Sequence, residues 1–335
     1  METHKIIKAE VLWTRKCPLK CSYCNMATGQ KNSMTLQDWQ RGIDQLAKMG
    51  CQFIAFYGAE PLADFEKLPK VIATAEKEHG IPTTIITSGV DKDFEIKVDV
   101  LHSYGARSLS MSYDIVPLCR ASKAKSDRAL EGLRYFKSLG EYRDVAAIAT
   151  LTRTNINHVI PTVFELSKED IWFFFDLIHP DRGQPGSKCK NYPGLKDLLF
   201  REEDMPNLIG TLKILEQLKE MGYKVHANVP FLDHIRNTWY NQGLYKWNCA
   251  KENCFPSWVT VDCDGVVYAC DDFQPPYEGI DPIMIYHLSG RWEEFVSYWK
   301  KVVKKNCPGC AWNTHIDAHA IKRGDLDISK YVHRS

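Results

Sequence analysis

A chain of 335 residues with 44% hydrophobic and 25% charged side chains has enough apolar material for a packed core beneath an ordinary globular surface. Its formal net charge of +1 gives no electrostatic reason to expect a nucleic-acid or membrane partner. The N-terminal METHKIIKAEVLW lacks a signal-peptide core, and no window approaches the roughly 20 apolar residues that span a bilayer, so a cytoplasmic protein is expected.

Short β-rich runs alternate with longer amphipathic stretches. KAEVLWT (8–14) reads as a strand, and 34–50 as a helix with apolar residues at helical spacing and Gly50 as its stop. Strands follow at 52–57, 82–87, 107–113, 144–151 and 171–178, with helices at 63–79, 92–103, 125–139, 156–168 and 203–221. Six βα units in succession predict a parallel α/β sheet with crossover helices. Several strands are almost continuously apolar, as when both faces are covered, and Trp172, Phe173 and Phe174 read as core. Periodicity alone leaves open whether the sheet is flat or curled.

Beyond residue 245 the texture changes. SWVTVDCDGVVYAC (257–270) alternates on both sides of Asp264-Gly265, which predicts a hairpin, and a helix at about 290–305 follows. The expected division is a large α/β unit over 1–245 and a small α+β unit over 246–335.

Twelve cysteines are many for a chain expected in a reducing compartment, so metal ligation or catalysis is a better expectation than disulfides. Cys17, Cys21 and Cys24 stand as C-x3-C-x2-C directly after the first strand, at the end where α/β sheets place their sites. Three thiols in one loop fit three irons of a [4Fe–4S] cluster with the fourth iron open. The plainer alternatives are three ligands of a structural zinc, with the fourth supplied elsewhere, or simply packed thiols; the spacing favours the cluster.

With YGAEPL (57–62) after the second strand, CPLKCSYC resembles the signature of the radical S-adenosylmethionine (SAM) superfamily. The resemblance runs over roughly 8–230. It implies a partial (βα)6 barrel in which Cys17, Cys21 and Cys24 hold a [4Fe–4S] cluster whose open iron chelates SAM. It further implies reductive cleavage of SAM to a 5′-deoxyadenosyl radical that takes a hydrogen atom from substrate. Gly58, Ala59 and Glu60 correspond to the family's GGEP element, which binds the methionine amino group; Ala59 stands where a second glycine is usual. More loosely, the resemblance assigns SAM contacts to Tyr23, Ser88, Ser112, Arg120 and Asn155.

Cys254, Gly265, Cys270, Cys307 and Cys310 resemble the shortened SPASM, or twitch, domain of the same superfamily. The hairpin should bring Cys254 and Cys270 together, and the Cys307–Cys310 turn should close a second [4Fe–4S] site; four zinc thiolates would satisfy the same spacing. A filled auxiliary cluster suits acceptance of an electron from a substrate radical. Cys249 and Cys263 are candidates for a hydrogen donor or, more plainly, buried thiols like Cys51, Cys119 and Cys189.

Substrate contacts are expected from Asp176, His179 and Arg182 after the sixth strand; His315 and His319 read as exposed. With the first strand at residue 8, no fused leader-binding domain is expected, which favours a small-molecule substrate over a peptide. An external flavodoxin or ferredoxin should supply electrons. The alternatives are a peptide- or protein-modifying enzyme, an epimerase with a cysteine donor and, from another class, a non-catalytic zinc protein.

Overall fold

The computed structural model describes residues 6–21, 23–117, 120–180, 194–242, 257–270, 273–307, 309, 316–317, 320–321 and 323–326. Of the residues singled out above, Cys119, Arg182, Cys189, Cys249, Cys254, Cys310, His315 and His319 lie outside these, as do the side chain of Arg120 and the expected unit boundary at 245.

Six parallel strands follow the order read from the sequence: β1 (Lys8–Thr14), β2 (Ile54–Gly58), β3 (Thr83–Thr87), β4 (Ser108–Ser112), β5 (Asp144–Leu151) and β6 (Trp172–Leu177). A short seventh, β7 (Val225–His226), adds beside β6. The hairpin strands β8 (Trp258–Val261) and β9 (Val267–Tyr268) do not form a sheet of their own: β8 lies parallel to β1, with Lys8 opposite Trp258. Among the described residues the order is β7-β6-β5-β4-β3-β2-β1-β8-β9, an unclosed sheet.

Helices α1 (Leu36–Lys48), α2 (Leu68–Ala73), α3 (Phe94–Ser103), α4 (Arg120–Ser138), α5 (Val159–Lys168) and, after the short α6 (Leu195–Leu198), α7 (Met205–Glu220) return the chain between strands. The helix expected over 63–79 is three pieces, a 3-10 turn at Pro61–Asp64, α2 and a π turn at Thr74–Glu78. Pro61 and Pro69, each at a helix start, account for the first break. Two further helices, α8 (Val229–Gln242) and α9 (Trp292–Asn306), follow β7 and β9.

Strand alternation sorts β1. Ala9, Val11 and Trp13 join the core beneath the helices, while Lys8 and Glu10 face the other way, into the barrel. Helix α1 starts at Thr35, whose hydroxyl caps the Asp38 amide, and buries Trp39, Ile43 and Leu46 along one face. Trp13 and Trp39 meet at 5.1 Å between ring centroids, and the Trp39 indole donates to Asn32 Oδ1 at 2.8 Å. Each such side chain taken from water contributes about 1.5–3 kcal/mol. The same alternation corrects one expectation: Phe173 is core, but Phe174 faces the barrel cavity, and Trp172 is half-buried with Lys224 Nζ 5.1 Å over its ring. Cys51 is a buried thiol, as expected, and burial pushes it up to about 12.

Candidate active site

The three cysteines sit in a loop leaving the C-terminal end of β1. Two backbone bonds close its neck: the Arg15 amide donates to Gln30 O at 2.9 Å, and the Gly29 amide to Arg15 O at 2.8 Å. Cys17, Cys21 and Cys24 are half-buried thiols, none of them in a disulfide. Backbone amides donate to two of the sulfurs, Leu19 to Cys17 at 3.4 Å and Met26 to Cys24 at 3.3 Å. Burial raises the Cys17 thiol to about 11, and the charges of Glu60, Cys24 and Cys21 push the same way. Three thiolates carried by one loop would be stabilised together by a cationic centre. Among the described residues no three His, Cys, Asp or Glu side chains converge tightly enough for a single ion. Thiols spread over one loop suit separate corners of a cluster better than one tetrahedral ion.

The turn after β2 lies against this loop. Gly58 has φ +146°, and a Cβ there would lie 2.5 Å from the Thr14 carbonyl oxygen, so only glycine fits. The Ala59 amide donates to that same oxygen at 3.0 Å. The Ala59 methyl packs on an apolar cluster of Leu12, Met26, Tyr57 and Cys263 that also contacts Cys24. A side chain is therefore accommodated where the family has a second glycine.

Glu60 is fully buried and holds two strand ends together. Its Oε1 accepts from the Leu62 amide at 3.1 Å and the Thr87 hydroxyl at 2.6 Å; its Oε2 accepts from the Ser88 amide at 2.9 Å and also from the Ser88 hydroxyl. Ser88 thus faces Glu60 rather than the cavity.

A cavity of about 340 Å³ fills the barrel, with inward residues from each of the first six strands, among them Glu10, Tyr57, Ile86, Ser112, Ile148 and Asp176. Tyr23 and Cys24 line the end nearest the cysteine loop. The Tyr23 hydroxyl donates to Asp114 Oδ2 at 3.0 Å, and Lys125 Nζ holds the same oxygen at 3.1 Å while lying 5.5 Å over the Tyr23 ring. Burial and the Asp114 charge raise the Tyr23 phenol, so it stays a donor. Asn155 also lines the cavity, though its amide is fixed by the Thr152 amide at 2.8 Å and the Thr150 carbonyl at 2.9 Å. His179, 2% exposed, lines the same space.

Cys263 is fully buried against the Ala59–Cys24 apolar cluster rather than in the cavity lining. Burial, then the Asp262 charge, holds its thiol up at about 12. Cys270 and Cys307 are half-buried and pack against the main core, and the Gly309 amide donates to Cys307 Sγ at 3.4 Å.

Three groups escaped the motif-based reading. Lys8 and Glu10 enter the cavity from β1, bonded at 3.2 Å, and a charge at every second position of an apolar strand was their signal. Asp144 lines the cavity from the start of β5. Arg15 joins the neck of the cysteine loop to the hairpin, donating to Asp262 Oδ2 at 2.6 Å, while Asp262 Oδ1 accepts from the Cys263 amide at 2.6 Å. No local pattern announces that last pair, since 247 residues separate its members.

Comparison with known proteins gives this geometry its context. The family model described as the radical SAM superfamily matches residues 11–177. Fe-coproporphyrin III synthase of Methanosarcina barkeri is 30% identical over 243 residues, covering 67% of this chain and 58% of that protein. PqqA peptide cyclase of Granulibacter bethesdensis is 30% identical over 135 residues, 38% of this chain and 35% of the relative. The chain thus spans little more than half of one relative and about a third of the other. In fold it is similar to SuiB of Streptococcus suis (TM-score 0.64, 16% identity, 90% of this chain and 68% of that one). It is also similar to anSMEcpe with bound AdoMet (TM-score 0.56, 15% identity, 95% and 98%). The matched half of the chain carries both the cysteine loop and the Gly58–Pro61 turn packed against it. The chain belongs to the radical SAM superfamily, whose enzymes use a [4Fe–4S] cluster and SAM.

Proposed function

We propose that this protein removes a hydrogen atom from a substrate held in the barrel lumen and oxidises or rearranges it. The observation that carries this reading is the cavity itself, bordered by Cys24 and Tyr23 and lined with polar side chains such as Ser112, Asn155 and Asp176. Once bound at Cys17, Cys21 and Cys24, the cluster supplies the electron that splits SAM to methionine and a 5′-deoxyadenosyl radical. Around it, Gly58 allows close backbone approach, Glu60 fixes the turn, and Tyr23 and Asp114, the latter held by Lys125, line the cavity. His179 is a candidate for substrate contact.

A twitch-type auxiliary [4Fe–4S] cluster on Cys254, Cys270, Cys307 and Cys310 is the proposed electron acceptor, in a unit over 246–335. A flavodoxin- or ferredoxin-type donor primes the reaction in the cytoplasm. No helix of the described residues is long and apolar enough to cross a membrane. The cavity volume supports a small molecule as the substrate.

A second reading is a peptide or protein substrate. It is supported by the fold likeness to SuiB, also solved with its precursor peptide SuiA, and to anSMEcpe, also solved with a Cp18Cys peptide. Within it, Cys263, a thiol held protonated beside the Cys24 loop, is the candidate hydrogen donor of an epimerase.

Anaerobic protein loaded with iron should be brown and carry about eight irons per chain, two cubanes' worth. Colourless protein holding zinc would sink both readings. Formation of 5′-deoxyadenosine above background on adding a small-molecule fraction of cell extract supports the first reading. Stimulation by the macromolecular fraction alone supports the second.

A further inference from the structure

The β8–β9 hairpin grips the loop that carries Cys17, Cys21 and Cys24. Arg15 forms the neck of that loop through its own amide and carbonyl, bonded to Gln30 and Gly29. Its side chain crosses to the hairpin and donates to Asp262 Oδ2 at 2.6 Å, with Gln274 Oε1 3.5 Å from the same nitrogen. Three further contacts join the same two pieces of chain. The Ser33 amide, just past the loop, donates to the Cys263 carbonyl at 3.1 Å. Met34 packs so closely on the hairpin turn that a Cβ on Gly265 would overlap its Sδ. Cys263 shares its apolar cluster with Cys24 itself.

Asp262 is a fixed anchor. Its amide donates to Val266 O at 2.9 Å, its carbonyl accepts from the Gly265 amide at 2.8 Å, and its Oδ1 accepts from the Cys263 amide at 2.6 Å. The Arg15 and Asp262 side chains are 14% and 11% exposed, so their bond is charge-assisted and shielded from water. Its place in the chain gives it leverage. Arg15 stands two residues before Cys17, and a turn at the neck carries the cysteine loop with it. The residue before it, Thr14, holds the Gly58–Pro61 turn, because its carbonyl accepts from the Ala59 amide at 3.0 Å. Adjacent residues of β1 and its exit thus set the two pieces that face each other across the site, and the hairpin fixes one of them.

We propose that Arg15 and Asp262 are positioning residues for SAM binding: the pair fixes the angle of the cysteine loop against the Gly58–Pro61 turn. This rests on the reading that Cys17, Cys21 and Cys24 hold the SAM-binding cluster, and it gives the hairpin a part in that site. Both residues act through the loop. The hairpin runs on to Cys270, so the unit expected to hold the auxiliary cluster also steadies the first one.

The test is a SAM titration of the anaerobic, reduced, iron-loaded protein, read as the part of its electron paramagnetic resonance signal that changes when SAM binds. Iron content and the thermal midpoint are measured on the same samples. Arg15→Met keeps the apolar stem and removes the charge. Asp262→Asn keeps the shape, but whichever way the amide turns, its NH2 faces one of two donors, the Cys263 N–H or the Arg15 guanidinium. Each variant should raise the half-saturating SAM concentration about 3–30-fold at unchanged iron content, and the double variant should be no worse than the weaker single one. Arg15→Lys, which keeps the charge, should recover most of the affinity. A lowered midpoint with a wild-type SAM titration would show a purely structural pair and overturn the proposal, as would additive losses in the double variant. If Arg15→Met fails to fold, Asp262→Asn against Arg15→Lys decides by the same titration. A wild-type protein with no SAM-responsive signal takes down the reading beneath as well, whereas a normal wild-type response with unmoved variants sinks this inference alone.

Discussion

Replacing Glu60 with glutamine changes one atom and should be costly. The carboxylate faces backbone N–H groups on both sides, Leu62 at Oε1 and Ser88 at Oε2. The hydroxyls of Thr87 and Ser88 can rotate to accept from an amide NH2, but the two backbone amides cannot. Whichever way the new amide is turned, its NH2 opposes one N–H and leaves that buried donor unsatisfied. An orphaned donor costs about 1–3 kcal/mol, and the surviving bonds lose their charge assistance, so a loss of about 2–4 kcal/mol is expected. Against a total of about 5–15 kcal/mol this is easily read in anaerobic urea unfolding followed by tryptophan fluorescence. A loss below about 0.5 kcal/mol would show that Glu60 does not tie β2 to β3, and that its role is to contact ligand alone.

Gly58→Ala forces a Cβ onto the Thr14 carbonyl at a positive φ and should cost about 2–4 kcal/mol by the same assay, with SAM affinity falling alongside. Cys21→Ala should leave about four irons per chain and abolish SAM cleavage; retention of about eight would mean that Cys21 is not a ligand. For Asp317 the folded carboxyl is raised from an ordinary 3.8 to about 7, so the native state keeps its proton longer than the unfolded chain. Its contribution is therefore full below about pH 4 and is lost as pH rises to about 7, at up to about 1.4 kcal/mol per pH unit. Asp317→Asn should flatten stability across that window, and an unchanged pH profile would show that the carboxyl titrates normally.

The barrel strands were legible because each is a short apolar run closed by a turn, and the parallel sheet followed from their alternation with helices. The SAM-side loop was equally legible, since Cys17, Cys21 and Cys24 lie within eight residues. What the sequence hides is what the fold assembles from afar. Nothing near Trp258 says that its strand will lie parallel to β1, because the pattern of a strand carries its faces but not its neighbour. Lys8, Glu10, Asp144 and Asp176 line one cavity only through the order of their strands. Glu60 was read as a ligand carboxylate, whereas its four hydrogen bonds to the turn and to β3 could come only from coordinates.

The parallel pairing of β8 with β1 also bears on biosynthesis. As the chain leaves the ribosome, β1 finds β2 within about fifty residues, but the partner for its other edge is 250 residues away. Until Trp258 emerges, the N–H and C=O groups of Lys8–Val11 on that side have no strand to bind. Such a long-range contact closes late, and an open edge of this kind is the natural meeting point for two unfinished chains. A chain truncated before residue 257 should therefore keep the helices that precede the cut yet self-associate through β1.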